Sequence, residues 1–291
     1  MSTAIPEVHS LTLKVPGAQI YYELHGSGPV LLMIPGGPAD AGIFTALARQ
    51  LAGSYTCVPY DPRGNSRSFL NGPPGDQDMN VHGDDAAQLL AALTSVPAFV
   101  LGSSGGAQIG LNLATRYPQR VHTLVAHEPP CIQLLPNTAE LREFTESVYE
   151  TYLVEGPRAA MQKFAAGAGL GGRPKPENAA PLPPPPQERQ ETFARMNGNL
   201  DYFLGHGFKP ISLYVPDIAV LLTSSPRIVV GVGETSVGQL AHRSALALAN
   251  LLDVMPVSFP GGHGGYNDHT AAFAEKLLQV LSGVPVSSTT L

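Results

Sequence analysis

The stretch Leu101-Gly102-Ser103-Ser104-Gly105-Gly106-Ala107 sets two hydroxyls in a glycine-rich turn between an apolar run and a helical pattern. Such a turn could cradle a phosphate or present a nucleophile. A phosphate cradle requires a lysine directly after its last glycine, and none follows here; G-x-G-x-x-G cannot be fitted either. A nucleophile elbow requires G-x-S-x-G, because strand and helix come so close that the residues two before and two after the serine must be very small. Centred on Ser104 those positions are Gly102 and Gly106. Centred on Ser103 they are Leu101 and Gly105, and the leucine would collide with the returning helix. The register selects Ser104. A serine hydroxyl is a weak nucleophile until a base takes its proton. His263, in Phe259-Pro-Gly-Gly-His-Gly-Gly-Tyr266, lies in a glycine-rich loop after the last strand pattern, and it follows Ser104 in the chain order that the elbow architecture requires. His9, His25, His82, His122, His206, His242 and His269 fall near element ends or on polar faces and are assigned no role.

The elements that must position these residues follow from the hydropathy pattern. Residues 11–15 and 18–24, split by Pro16-Gly17, suggest an antiparallel hairpin. Val30–Ile34 is a continuous apolar run, as expected of a strand covered on both faces. Helices over 41–53, 80–95 and 105–117 then alternate with strands over 55–61, 98–102 and 121–128. The alternation resumes with a strand at 227–232, a helix at 237–252, a strand at 254–259 and a helix at 269–283. Repeated βαβ units imply an α/β fold with a mostly parallel, doubly wound sheet. Between residues 129 and 225 the rhythm breaks: helical patterns over 138–153 and 187–207 flank the proline-rich stretch 173–186, which favours extended polyproline II. The expected organisation is a core of residues 1–128 and 226–291 with an α-helical lid insertion at 129–225. The tail from Val284 is expected to fray.

Several functions are disfavoured by composition. The net charge of −6 and the lack of any Lys/Arg run speak against nucleic acid and anionic membrane surfaces as partners. No apolar run approaches the roughly 20 residues that span a bilayer, and residues 1–15 lack the basic and apolar regions of a signal peptide. A cytoplasmic protein is the expectation. Cys57 and Cys131 lie in separate segments and imply no disulfide framework. Gly231-x-Gly233, with Asp253 some twenty residues on, imitates a dinucleotide motif, but its third glycine is Ser236 and it stands near the C-terminus. His127-Glu128-Pro129-Pro130-Cys131 imitates a metal motif, but its prolines prevent the helix that would bring its ends together. Neither a cofactor nor a metal is expected.

The elbow around Ser104, the loop Ile34-Pro-Gly-Gly-Pro-Ala-Asp40, the turn Tyr60-Asp-Pro-Arg-Gly-Asn-Ser-Arg-Ser68 and the loop around His263 together resemble the α/β-hydrolase fold family, over about residues 10–283. The resemblance implies attack of Ser104 on a carbonyl, a covalent acyl-enzyme and its hydrolysis by water activated at His263. An oxyanion hole needs backbone N–H groups aimed at the developing charge. Gly105, directly after the nucleophile, and Gly37 are the expected donors, since Pro38 has no N–H. The family's first loop commonly begins His-Gly, where this chain has Pro35-Gly36. The turn containing Asp61 and Arg63 resembles a family motif that braces the loops. A carboxylate must fix the tautomer of the histidine. The family places it after the strand that follows the lid; counting from Gly231 reaches Glu234, whereas aligning on Gly-Glu-x-Asp puts Ser236 at the acid's position. In that second alignment Glu128, ending the preceding strand, is the substitute; Glu234 is favoured over it. The expected activity is cleavage of an uncharged, moderately apolar carboxylic ester, thioester or lactone by a carboxylesterase-type enzyme. Amide or imino-peptide hydrolysis is the alternative, because Pro35-Gly-Gly-Pro38 resembles the corresponding loop of prolyl iminopeptidases. A non-catalytic ligand receptor on the same fold is the third possibility.

Overall fold

The computed structural model describes residues 8–170 and 185–283. Most of the proline-rich stretch and the tail from Val284 lie outside the described residues.

Strands β1 (His9–Val15) and β2 (Ala18–Leu24) form the expected antiparallel hairpin, turned at Gly17. Strand β3 (Val30–Ile34) is apolar throughout because both its faces are covered: Leu32 and Ile34 enter one core cluster, Leu31 and Met33 the other. A 3-10 turn, Ala41–Phe44, leads into α1 (Thr45–Leu51), and β4 (Thr56–Pro59) follows. The short β5 (Phe69–Leu70) pairs with β2. Next come α2 (Met79–Leu93), whose first turn is capped by the Asp78 carboxylate, β6 (Ala98–Ser103), α3 (Gly105–Arg116) and β7 (Val121–His127).

Between β7 and the next strand the chain is helical: α4 (Thr138–Glu155), α5 (Pro157–Gly167), α6 (Gln187–Gly198), α7 (Leu200–Tyr202), a π-helical turn at Phe203–Gly207, α8 (Phe208–Leu213) and α9 (Ile218–Thr223). Strand β8 (Arg227–Gly233), α10 (Leu240–Leu251), β9 (Val257–Phe259), α11 (Gly265–Asp268) and α12 (Thr270–Leu281) complete the chain.

The main sheet is parallel and ordered β4-β3-β6-β7-β8-β9. Helices α1 and α12 cover one face through Leu47, Leu51, Phe273 and Leu277; α2, α3 and α10 cover the other through Leu89, Leu111 and Leu248. Chain order runs outward from the β3/β6 pair in both directions. The strand ends there form a topological switch point, the place where open α/β sheets open a crevice for ligands. The loops bearing Gly37 and Ser104 leave the sheet at this point.

Local chemistry explains the boundaries that differ from the sequence pattern. The expected helical stretch over 187–207 is broken only at Asn199, whose side chain turns onto the Gly37 loop, and α7 with the π-helical turn carries it on to Gly207. Helix α5, without a counterpart in the sequence reading, is set off from α4 by Gly156 (φ +85°) and begins with Pro157, which is pre-organised for a first helical position. The last strand starts only at Val257, because Asp253 is left-handed (φ +52°) and Pro256 cannot donate to the ladder.

Candidate active site

Ser104 stands between the last residue of β6 and the first of α3 with φ +56° and ψ −127°, a backbone conformation that side chains other than glycine rarely adopt. Its surroundings account for the glycine spacing. A Cβ on Gly102 would overlap the Gly106 carbonyl, and one on Gly106 would fall onto the Ile34 carbonyl oxygen. The Ser104 N–H donates to the His127 carbonyl at 2.9 Å, which ties the turn to the end of β7.

Gly37 is left-handed, with φ +56°. The loop it belongs to lies against the elbow: a Cβ on Gly36 would stand 2.7 Å from both the Gly105 nitrogen and the Ser104 Cβ. A Cβ on Gly105 would lie 3.4 Å from the Gly37 nitrogen. Neither the Gly37 nor the Gly105 N–H donates to a protein acceptor among the described residues. Two free donors therefore converge beside Ser104, the arrangement that stabilises negative charge developing on an oxygen.

His263 Nδ1 lies 2.7 Å from Glu128 Oε2. Glu128 is fully buried; its other oxygen accepts from the Gly233 N–H at 2.9 Å and from the Ser236 hydroxyl. Burial alone would raise the carboxyl pKa, but the hydrogen bond from His263, the adjacent imidazoles and the Ser236 hydroxyl bring it down to about 2. An ionised Glu128 accepts, so His263 carries its proton on Nδ1 and turns a free Nε2 lone pair outward. Neighbouring His127, fully buried, has a pKa lowered by burial to about 4 and is neutral. Glu128 itself has φ +47°, so two adjacent strand ends each carry a strained, non-glycine residue.

Of the two carboxylates weighed from the sequence, Glu234 and its alternative Glu128, the geometry brings Glu128 to His263. Glu234 is solvent-exposed; its backbone N–H continues the ladder to the Phe259 carbonyl, and its carboxylate makes no contact with His263. At Gly233 the loop after β8 has no room for a side chain. A Cβ on Gly233 would come 2.7 Å from the Gly262 backbone, and only the small Ser236 side chain reaches Glu128.

Ser104, His263, Gly37 and Gly105 line one cavity of about 250 Å³. The Ser104 hydroxyl is not hydrogen-bonded to His263; contacts of this kind often tighten only around a substrate. Phe144, Phe164, Phe193, Phe203 and Phe208, all from the helices between β7 and β8, supply the apolar wall, with Tyr266 and Asn267 beside His263. Among the described residues no Lys, Arg, Asp or Glu lines the cavity. Asp61 and Arg63 stand outside it: Asp61 accepts from the Ala41 N–H and from Arg67, and Arg63 pairs with Asp85 at 2.6 Å. Unforeseen from the sequence were Asn65 and Asn199, whose amides hold carbonyls of the Gly37 loop.

Residues 29–158 match the family model described as alpha/beta hydrolase fold. Over 278 residues the chain is 36% identical to the uncharacterized hydrolase YraK of Bacillus subtilis (strain 168), covering 94% of this chain and 96% of that protein. Among solved structures, a hydrolase from Pseudomonas aeruginosa PA01 superposes with a TM-score of 0.71 at 24% identity, over 94% of this chain and 98% of that one. A thermophilic esterase from Thermogutta terrifontis superposes with a TM-score of 0.73 at 18% identity, over 96% and 100%. These two likenesses concern the fold. The chain belongs to the alpha/beta hydrolase fold family and is a hydrolase acting on a small molecule. No helix among the described residues is long and apolar enough to cross a membrane.

Proposed function

We propose that the protein is a serine hydrolase that cleaves an uncharged carboxylic ester, thioester or lactone, with the helices between β7 and β8 acting as the lid over its cavity. The observation that carries this reading is the convergence, in one cavity, of a strained Ser104, two unpaired N–H groups and a His263 held by Glu128. His263 Nε2 takes the Ser104 proton as Oγ bonds to the carbonyl carbon. The carbonyl oxygen becomes an oxyanion held by the Gly37 and Gly105 N–H groups. Collapse breaks the C–O bond of the ester or the C–S bond of the thioester, and the leaving alkoxide or thiolate receives the proton from His263. Water, deprotonated by the same nitrogen, then attacks the acyl-enzyme and releases the acid and Ser104. Throughout, ionised Glu128 keeps the imidazole in the working tautomer and offsets the charge of the imidazolium.

The cavity favours esters over amino-terminal peptides. An imino-peptide substrate carries an ammonium group that needs a carboxylate, and none among the described residues lines the cavity, while both oxygens of Glu128 are already engaged. A receptor role would give no reason for the backbone strain at Ser104 or for two donors without acceptors among the described residues. The test is turnover of short-chain nitrophenyl esters together with labelling by a fluorophosphonate. Ser104→Ala is expected to lose both, and a variant that keeps full esterase turnover would refute the reading.

A further inference from the structure

The loop that carries Gly37 is fixed from outside the sheet. Gly37 O and Ala39 O each accept from Asn65 Nδ2, at 3.2 and 3.0 Å. Pro38 O, between them, accepts from Asn199 Nδ2 at 2.8 Å. Asn199 also bridges to the neighbouring turn: its Oδ1 accepts from the Ser66 N–H and its Nδ2 donates to Ser66 Oγ, both at 2.8 Å. One residue further along the loop, the fully buried Asp40 receives Arg195 Nε at 2.5 Å. The Phe203 ring packs on Gly37, 3.6 Å from where its Cβ would be. Asn199, Arg195 and Phe203 all come from α6 and the segment just after it, more than 150 residues along the chain from the loop they hold.

Asn199 holds the Pro38 carbonyl and with it the Pro38–Ala39 peptide plane; the Ala39 N–H of that plane donates to the Gly36 carbonyl at 3.1 Å, and the Gly36–Gly37 plane held in this way carries the Gly37 N–H. A left-handed glycine followed by a proline does not hold one direction unaided, since glycine crosses between backbone basins at little cost. The geometry points to Asn199 as a positioning residue of the oxyanion hole: through the Pro38 carbonyl, the segment that roofs the cavity also sets the aim of the Gly37 donor. This inference rests on the serine-hydrolase reading above and adds to it a residue acting through the backbone of another.

Asn199→Asp tests it with almost no change in shape. The aspartate still accepts from the Ser66 N–H and the Ser66 hydroxyl can donate to it, but an oxygen now faces the Pro38 carbonyl where a donor stood. Losing one oxyanion donor costs about 100- to 1000-fold in kcat, so misaiming one is expected to cost about 10- to 100-fold. KM is expected to stay within about threefold, because the bound ester before attack does not use the hole fully. An alkyl boronic acid, which forms a tetrahedral adduct on Ser104, should lose affinity in step with kcat/KM. Turnover is normalised to the sites that fluorophosphonate finally labels, so a merely structural role would lower the melting temperature and leave kcat per site unchanged. Asn199→Ser, which empties the position without adding charge, carries the test should the aspartate variant not fold. A folded variant with kcat per site within twofold of the parent overturns the inference. Full activity in Ser104→Ala would instead overturn the serine-hydrolase reading, so the two failures are told apart.

Discussion

Replacing Glu128 by glutamine probes the proposed chemistry at the point where shape and charge separate. In the parent one carboxylate oxygen takes two donors, the Gly233 N–H and the Ser236 hydroxyl, and the other takes His263 Nδ1–H. Glutamine has a single oxygen. Two donors outweigh one, so that oxygen settles toward Gly233 and Ser236 and the amide NH2 faces His263. Nδ1 must then accept, the imidazole proton moves to Nε2, and the nitrogen facing Ser104 can no longer act as a base. An amide in this role lowers kcat by about 10⁴ in a serine protease. The expected loss here is about 10³- to 10⁴-fold, or about 4–5.5 kcal/mol on the barrier. The assay is kcat for nitrophenyl butyrate, with the melting temperature measured alongside to show that the variant is folded. Glu234→Gln, at an exposed position without contact to His263, is the paired control and is expected to keep parental turnover. A folded Glu128→Gln enzyme within about tenfold of the parent would refute the tautomer argument, and so would a comparable loss in Glu234→Gln.

The same carboxylate sets an acid dependence of stability. Its folded pKa of about 2 lies below the ordinary 4.5, so its stabilisation is complete above pH 4.5 and drains away as pH falls toward 2. The difference in urea unfolding free energy between the parent and Glu128→Gln is expected to shrink over that window by about 3 kcal/mol; a pH-independent difference would contradict it. At the elbow, Gly106→Ala pushes a methyl group onto the Ile34 carbonyl and is expected to cost about 3 kcal/mol or more. Gly105→Ala meets nothing closer than 3.4 Å and should fold. Equal melting temperatures for the two variants would show that the close approach of strand and helix does not govern the spacing.

The sequence made legible whatever is encoded locally. The elbow register could be read because steric exclusion acts at residues two before and two after Ser104, and the buried strands because both their faces must be apolar. The carboxylate that meets His263 was harder to read, since its identity depends on which of two neighbouring strand ends faces His263, a matter of register between β7 and β8. Counting along β8 reached Glu234, whose side chain points to solvent; the alternative alignment, with Ser236 at the acid's position, left Glu128 to act, and Ser236 does contact it. Asn199 and Arg195 gave no signal, because a polar residue in a helix is ordinarily solvated and only the folded chain brings these two onto residues 38–40.

Placing Glu128 directly after β7 has a mechanical consequence. The Ser104 N–H bonds to the His127 carbonyl and the Glu128 N–H bonds to the Gly231 carbonyl, so Ser104 and Glu128 occupy successive rungs of one lattice of main-chain bonds. Warming that loosens surface loops leaves these two in mutual alignment for as long as the sheet survives. His263 stands outside that lattice, on a loop held by its own turns and by the contact to Glu128, which makes this loop the first place to reinforce when activity must outlast heat.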